Sequence, residues 1–204
     1  MWPEQEKTDQ LLEQARSGDE DAVNALIDGH RNSLRHLVRM RLDRKIQRRV
    51  DVSDVVQDVL IEANRRLKTY LENPVMPFHL WIRHIARDRI IDAHRRHRGS
   101  AKRSVDKEQP MVIPGGFDKS SIILAAQLMD REKTPAASIM EKELARRVEE
   151  AISDLDDLDA EVIVMRHYEQ LTNQEIAQAL ELTEPAASMR YLRAVRRLRD
   201  LMQG

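Results

Sequence analysis

The chain has 204 residues, 41% hydrophobic but only 3% aromatic, with 34% charged; that allows one medium or two small packed domains in a highly charged protein. It has no cysteine, which excludes disulfides, cysteine-ligated zinc and a cysteine nucleophile, and fits a reducing compartment. Lys plus Arg number 34 against 35 Asp plus Glu, a net charge of −1 that would argue against a polyanionic partner were the charge not segregated along the chain.

The opening residues 1–6 are acidic and polar, unlike a signal peptide. No apolar run approaches the ~20 residues of a membrane-spanning helix. A cytoplasmic protein without membrane insertion is the expectation. Glycine is absent between Gly29 and Gly99, and apolar residues there recur at helical spacing, predicting helices near 8–17, 20–42, 51–71 and 78–98.

The third of these opens with Asp51, Ser53 and Asp54, acceptors suited to an N-terminal cap. Val55, Val56, Val59, Leu60, Ala63, Leu67 and Tyr70 share one face, while Asp54, Gln57, Asp58 and Glu62 project from the other. Complementing the helix dipole accounts for the first-turn acids, but that effect fades within about a turn. Asp58 and Glu62 therefore point to an acidic stripe for a basic protein partner.

In the fourth, at about 100° per residue, Phe78, Trp81, Ile82, Ile85, Ala86 and Ala93 fall on one face. Arg83, Arg87, His94 and Arg98 form a narrow stripe opposite, flanked by His84 and Arg95. Such a face offers cations to a phosphate backbone, and guanidinium groups favour phosphate and base-edge contacts. A solvated amphipathic helix is the plain alternative. The arginines and histidines against only Asp88 and Asp92 favour nucleic acid. His84, Asp88 and Asp92 stand one turn apart, but the arginines around them disfavour a metal ion, so neither metal nor cofactor is expected. Trp81, at the edge of the apolar face, packs in the core or meets an unstacked base.

The stretch 99–136 carries Gly99-Ser100, Pro110, Pro114-Gly115-Gly116 and Thr134-Pro135. It reads as a linker, with room for one short helix at Ile122–Met129. Helical spacing returns from about Ala137 to Met202, at first rich in acid (Glu149, Glu150, Asp154, Asp156, Asp157, Asp159). The architecture is all-α, two small helical domains at 1–98 and 137–204 joined by a flexible linker.

Within the second domain, Thr172 with Glu175 forms a capping-box pattern before a short helix with Ile176, Ala177 and Leu180 inward. Thr183 caps again, Pro185 takes an early helical position, and a long helix runs to about Met202. Ala187, Tyr191, Ala194, Val195, Leu198 and Met202 line its inner side; Ala186, Met189, Arg190, Arg193, Arg196 and Arg197 line its outer side. Short helix, tight turn and long basic helix suit a major-groove reader. Glu181 stands where such turns usually carry glycine, and a left-handed non-glycine residue costs ~1–2 kcal/mol.

Taken together the pieces resemble the extracytoplasmic-function group of the sigma-70 superfamily over nearly the whole chain. Leu11 to Leu26 is similar to the family's opening helix. Asp54-Val-Val-Gln-Asp-Val resembles its Asp-Leu-Val-Gln-Glu-Val element, which implies docking on the β′ clamp helices of core RNA polymerase through Asp54, Gln57, Asp58 and Glu62. Phe78 to Asp92 is similar to the helix that melts and reads the −10 element, implying DNA contacts from Trp81, Arg83, His84, Arg87, His94, Arg95 and Arg98. Leu155 to Arg199 resembles the domain that reads the −35 element, implying contacts from Thr172, Ala186, Met189, Arg190, Arg193 and Arg197, and a meeting with the β flap. His30, where an aromatic is usual, Glu181, and the length of the linker depart from the pattern. The implied function is an alternative sigma factor, not an enzyme, with promoter DNA and an anti-sigma factor as further partners. A stand-alone helix-turn-helix regulator is the alternative, though it leaves residues 54–58 and 78–98 unexplained; a hydrolase lacks any nucleophile motif or phosphate loop.

Overall fold

The computed structural model describes residues 2–42, 49–98, 119–128 and 138–203; for 97, 98, 119 and 138–142 it describes the backbone alone. Every regular element among them is an α-helix: α1 (Gln5–Arg16), α2 (Glu20–Arg41), α3 (Val52–Glu72), α4 (Phe78–Arg98), α5 (Lys119–Leu128), α6 (Ser138–Ser153), α7 (Asp157–His167), α8 (Asn173–Ala179) and α9 (Glu184–Gln203). The chain divides into two compact units, 1–109 and 110–204.

In the first unit α2, α3 and α4 pack against one another and α1 lies along α2. Local chemistry starts the helices. Asp19 accepts hydrogen bonds from the Asp21 and Ala22 amides at 2.9 and 3.1 Å, and Asp51 accepts from the Ser53 amide at 2.7 Å. That amide holds the Asp51 carboxyl below its usual range, because it bonds the charged form. The core between the helices includes Leu26, Leu34, Val38, Val59, Ala63, Phe78, Leu80 and Ile82, all buried.

Aromatic rings close one end of this core. Phe78 meets Tyr70 edge-on at 5.5 Å and His30 at 4.9 Å, and Trp81 stands 4.7 Å from Tyr70. Edge and tilted contacts at these separations suit the ring quadrupoles. The Tyr70 hydroxyl donates to the Met76 carbonyl at 2.8 Å, tying the end of α3 to the loop before α4, and burial pushes its pKa up to about 12. His30 fills the position where an aromatic was expected. Its Nδ1 lies 2.8 Å from the Leu26 carbonyl, and burial holds its pKa below the usual value, so the ring packs as a neutral aromatic.

In the second unit α9 runs against α6, α7 and α8, burying Ala187, Ala194, Leu198 and Met202. Arg147 of α6 donates to the Met202 carbonyl at 2.8 Å, satisfying a carbonyl at the end of α9 that has no partner within the helix. Helix α5 lies inside the 99–136 stretch read as linker, yet Leu124, Ala125 and Leu128 are buried where it packs on α6 and α7. Ser121 is buried with it, donating to Glu149 at 2.9 Å with its hydroxyl 3.0 Å from that of Tyr168. The packed core of the second unit therefore includes α5. The glycines and prolines that mark the rest of the linker fall outside the described residues.

The turn between α8 and α9 takes the left-handed form. Glu181 has φ of 55°, its amide bonds to the Gln178 carbonyl at 3.3 Å, and the Leu182 amide bonds to the Ala177 carbonyl at 2.8 Å. This is the Schellman pattern. The same bonds end α1, where Gly18 supplies φ of 92°, the conformation glycine reaches without a Cβ penalty. Glu181→Gly relieves ~1–2 kcal/mol of strain and adds ~0.4–1 kcal/mol of unfolded-chain entropy. We expect it to be neutral to stabilising by about 1 kcal/mol, and Glu181→Val to be destabilising, because a branched Cβ tolerates positive φ least. Urea unfolding followed on the second unit's transition checks the order; valine equal to glycine would refute the strain.

Candidate nucleic-acid and protein interfaces

Helix α3 presents Asp54, Gln57 and Asp58 to solvent, as its pattern predicts. Glu62 is different. It is buried, and three guanidinium groups close on its carboxylate: Arg65 at 2.7 Å, Arg89 of α4 at 3.1 Å, and Arg66. The Arg65 hydrogen bond holds the Glu62 carboxyl below its usual range, helped by Arg66 and opposed by desolvation. Glu62 thus leaves the exposed stripe expected from its spacing and becomes the acid that joins α3 to α4. The residue that reasoning from the pattern missed is Arg89, whose role depends on a helix brought beside it by the fold.

Helix α4 carries a second correction. Arg83 is 1% exposed and His94 7%, although both fall on the stripe read as outward. The buried surface of α4 spans roughly half its circumference, because α2 packs on one side and α3 on the other. Leu80, Ile90, Arg83 and His94 are covered from the added direction, and the His94 ring lies 3.4 Å from the Arg41 carbonyl of α2. What remains open is Arg87, Asp88, Arg95 and Arg96, with His84 and Ile91 half-buried. Trp81 is half-buried in the aromatic cluster, 5.3 Å from Phe78. The Arg98 side chain lies outside the described residues.

An open groove of about 560 Å³ runs between α3 and α4, lined by Asp58, Ile61, Glu62, Arg89, Asp92, Arg95 and Arg96. Arg96 lies 3.9 Å from Asp58. Both are well exposed, so the pair is worth ~0–1 kcal/mol and leaves Asp58 available to a partner. Among the described residues no cluster of three or more histidines, aspartates or glutamates is placed to hold a metal ion, and no helix is long and apolar enough to cross a membrane.

In the second unit the helix-turn-helix forms as its spacing predicts. Thr172 accepts from the Glu175 amide at 3.2 Å while Glu175 accepts from the Thr172 amide at 2.7 Å, a complete capping box. Thr183 accepts from the Ala186 amide at 3.3 Å, and Asn173 joins the two helices by donating to the Glu184 carbonyl at 3.2 Å and the Ser188 hydroxyl at 2.9 Å. The Tyr191 hydroxyl is 3.0 Å from His167, whose pKa burial lowers to about 4. Ala186, Met189, Arg193 and Arg197 are exposed along α9. Arg190 is not free: it donates to Asp159 at 2.9 Å and approaches Asp156 at 3.8 Å, the acids that open α7.

Two family descriptions match the chain in order, Sigma-70 region 2 over residues 26–100 and Sigma-70, region 4 over residues 151–200, together more than half of it. The ECF RNA polymerase sigma-E factor of Haemophilus influenzae is 25% identical over 197 residues, 96% of either chain. Among solved structures, that of CnrH in complex with the cytosolic domain of CnrY superposes with a TM-score of 0.58 at 26% identity, covering 97% of each chain.

Glu62→Gln removes the charge on which the three arginines converge, and we expect it to lower the melting temperature of the first unit by a few degrees. Because the Glu62 carboxyl is depressed in the folded chain, its contribution is full above the ordinary value of 4.5 and is lost as pH falls through the lowered one. The gap between wild type and Glu62→Gln in thermal melts should therefore close with acidification below that value. A gap independent of pH would contradict the assignment.

Proposed function

This chain belongs to the extracytoplasmic-function group of the sigma-70 family and is an alternative sigma factor, a partner of core RNA polymerase and promoter DNA, and from that premise we propose how its residues divide the work. The exposed acids of α3, Asp54 and Asp58 with Gln57 between them, dock on the basic clamp helices of the β′ subunit. Arg87 and Arg95 of α4, with Arg96 at its end and His84 beside them, hold the −10 region as it opens. Phosphate contacts of this kind position the strand, while an extruded base supplies sequence information. Trp81, braced by Tyr70 and Phe78, stands at the rim of that surface. Arg83 and His94 shape the helix from inside and touch no DNA.

The second unit meets the β flap and lays α9 in the major groove of the −35 element, with Ala186 and Met189 toward the bases and Arg193 and Arg197 toward phosphates. Thr172 starts the supporting helix, and Arg190 braces α9 against α7. The chain works in the cytoplasm, takes no cofactor and performs no chemistry; the polymerase does. CnrH was solved with the cytosolic domain of CnrY, and by that likeness an anti-sigma factor is the further partner we propose for this chain. A regulator acting alone on duplex DNA would use the second unit and leave the exposed acids of α3 without purpose.

The observation that carries the docking assignment is the exposure of Asp54, Gln57 and Asp58 while the neighbouring Glu62 is taken up internally. Asp54→Arg with Asp58→Arg should weaken binding to core polymerase by about tenfold or more, since reversed charges face a basic partner. Both side chains are exposed, so the melting temperature should hardly move. Binding within twofold of wild type would refute the docking surface.

A further inference from the structure

The half of α9 that a helix-turn-helix turns toward base edges is its N-terminal half, and in this chain several polar groups around it are engaged within the protein. Asn173, whose amide could pair with adenine, donates to the Glu184 carbonyl and the Ser188 hydroxyl. The Thr172 hydroxyl donates to Glu175 at 2.7 Å. Arg190, which the spacing offers as a fork for guanine, has its Nη1 on Asp159 at 2.9 Å and 3.8 Å from Asp156, with its side chain 23% exposed. Facing outward, beside the exposed Glu184, are apolar groups: Met189 is 59% exposed and Leu192 48%, with Pro185 and Ala186 exposed one turn earlier.

The cations flank this surface rather than occupy it. Arg193, Arg196 and Arg197 are exposed further along the helix and make no ion pair among the described residues, which suits them to phosphates. The setting therefore fits a polyanion whose recognised feature is apolar. In the major groove one base offers such a feature, the C5-methyl group of thymine.

We propose that Met189, with Ala186 beside it, determines −35 specificity by packing on thymine methyl groups, in place of hydrogen-bonded readout by Arg190. The proposal rests on the placement of the second unit at the −35 element given above. Arg190 acts as a positioning residue, fixing the angle of α9 on α7.

The test uses full-length protein reconstituted with core polymerase and a random duplex library upstream of a fixed −10 element. The enriched −35 element should contain thymine, and deoxyuridine in its place, which removes the methyl alone, should weaken binding by roughly fourfold per contacted position. Met189→Ala should bring the thymine-over-deoxyuridine preference close to one without changing the salt dependence. Arg193→Ala should reduce the salt dependence and leave that preference intact. An enriched element without thymine, indifference to deoxyuridine, or a preference that survives Met189→Ala overturns the methyl readout alone. Enrichment of no upstream element overturns both the readout and the placement on which it rests.

Discussion

Where α3 crosses α4, a single carboxylate receives guanidinium groups from both helices: Glu62 takes Arg65 and Arg66 from its own helix and Arg89 from the next. An acid left alone in that position would face a large desolvation cost, so the arginines are required by its burial rather than added to it. Ion pairs of this kind contribute little net stability against an apolar alternative, but removing one member is costly. Their consequence is geometric. The helix with exposed acids and the helix with exposed arginines are held at one relative setting, and Asp58 lies near Arg96 across the same groove. The exposed acids of α3 and the exposed arginines of α4 are thereby fixed relative to each other within one packed unit.

The aromatic cluster extends that constraint to the start of α4. Tyr70, Phe78 and Trp81 brace the first turn against the end of α3, and the Tyr70 hydroxyl holds the intervening loop at Met76. The second unit repeats the logic with other residues. Arg190 is anchored on the acids that open α7, and Asn173 links α8 to α9, so the long helix presents its outer face at a set angle. In both units some charged residues are used to position a surface, and others form the surface itself.

That division marks the limit of what the sequence discloses. Helix positions were legible because glycine is absent from long stretches and the apolar residues keep one period. The capping box at Thr172 was legible because it depends on neighbours in the chain, whereas the sequence marks Glu181 as a departure without showing that the turn keeps its left-handed form. Glu62, Arg83 and His94 fall on outward stripes by spacing yet are buried, for one reason. Periodicity reports the mean direction of burial and not how many helices cover a segment, so α4, packed by two neighbours, buries residues that a helix on one flank would expose. The ion pairing of Arg190 was not legible because its acid partners lie some thirty residues earlier. Helix α5 was legible as a short helix within the glycine- and proline-rich stretch, but its packing on α6 and α7 is a tertiary fact. His30 was legible as a departure, while its burial as a neutral ring was not.

The central claim is that both units act together on the polymerase, and start-site selection tests it most directly. Run-off transcription would compare core polymerase alone with core polymerase plus the full-length chain on a promoter library, alongside duplex binding by the free chain. The account requires initiation at defined sites sharing two spaced elements, only when the chain is present, and far weaker duplex binding without polymerase. Tight sequence-specific duplex binding by the free chain, with no change in where polymerase initiates, would contradict it.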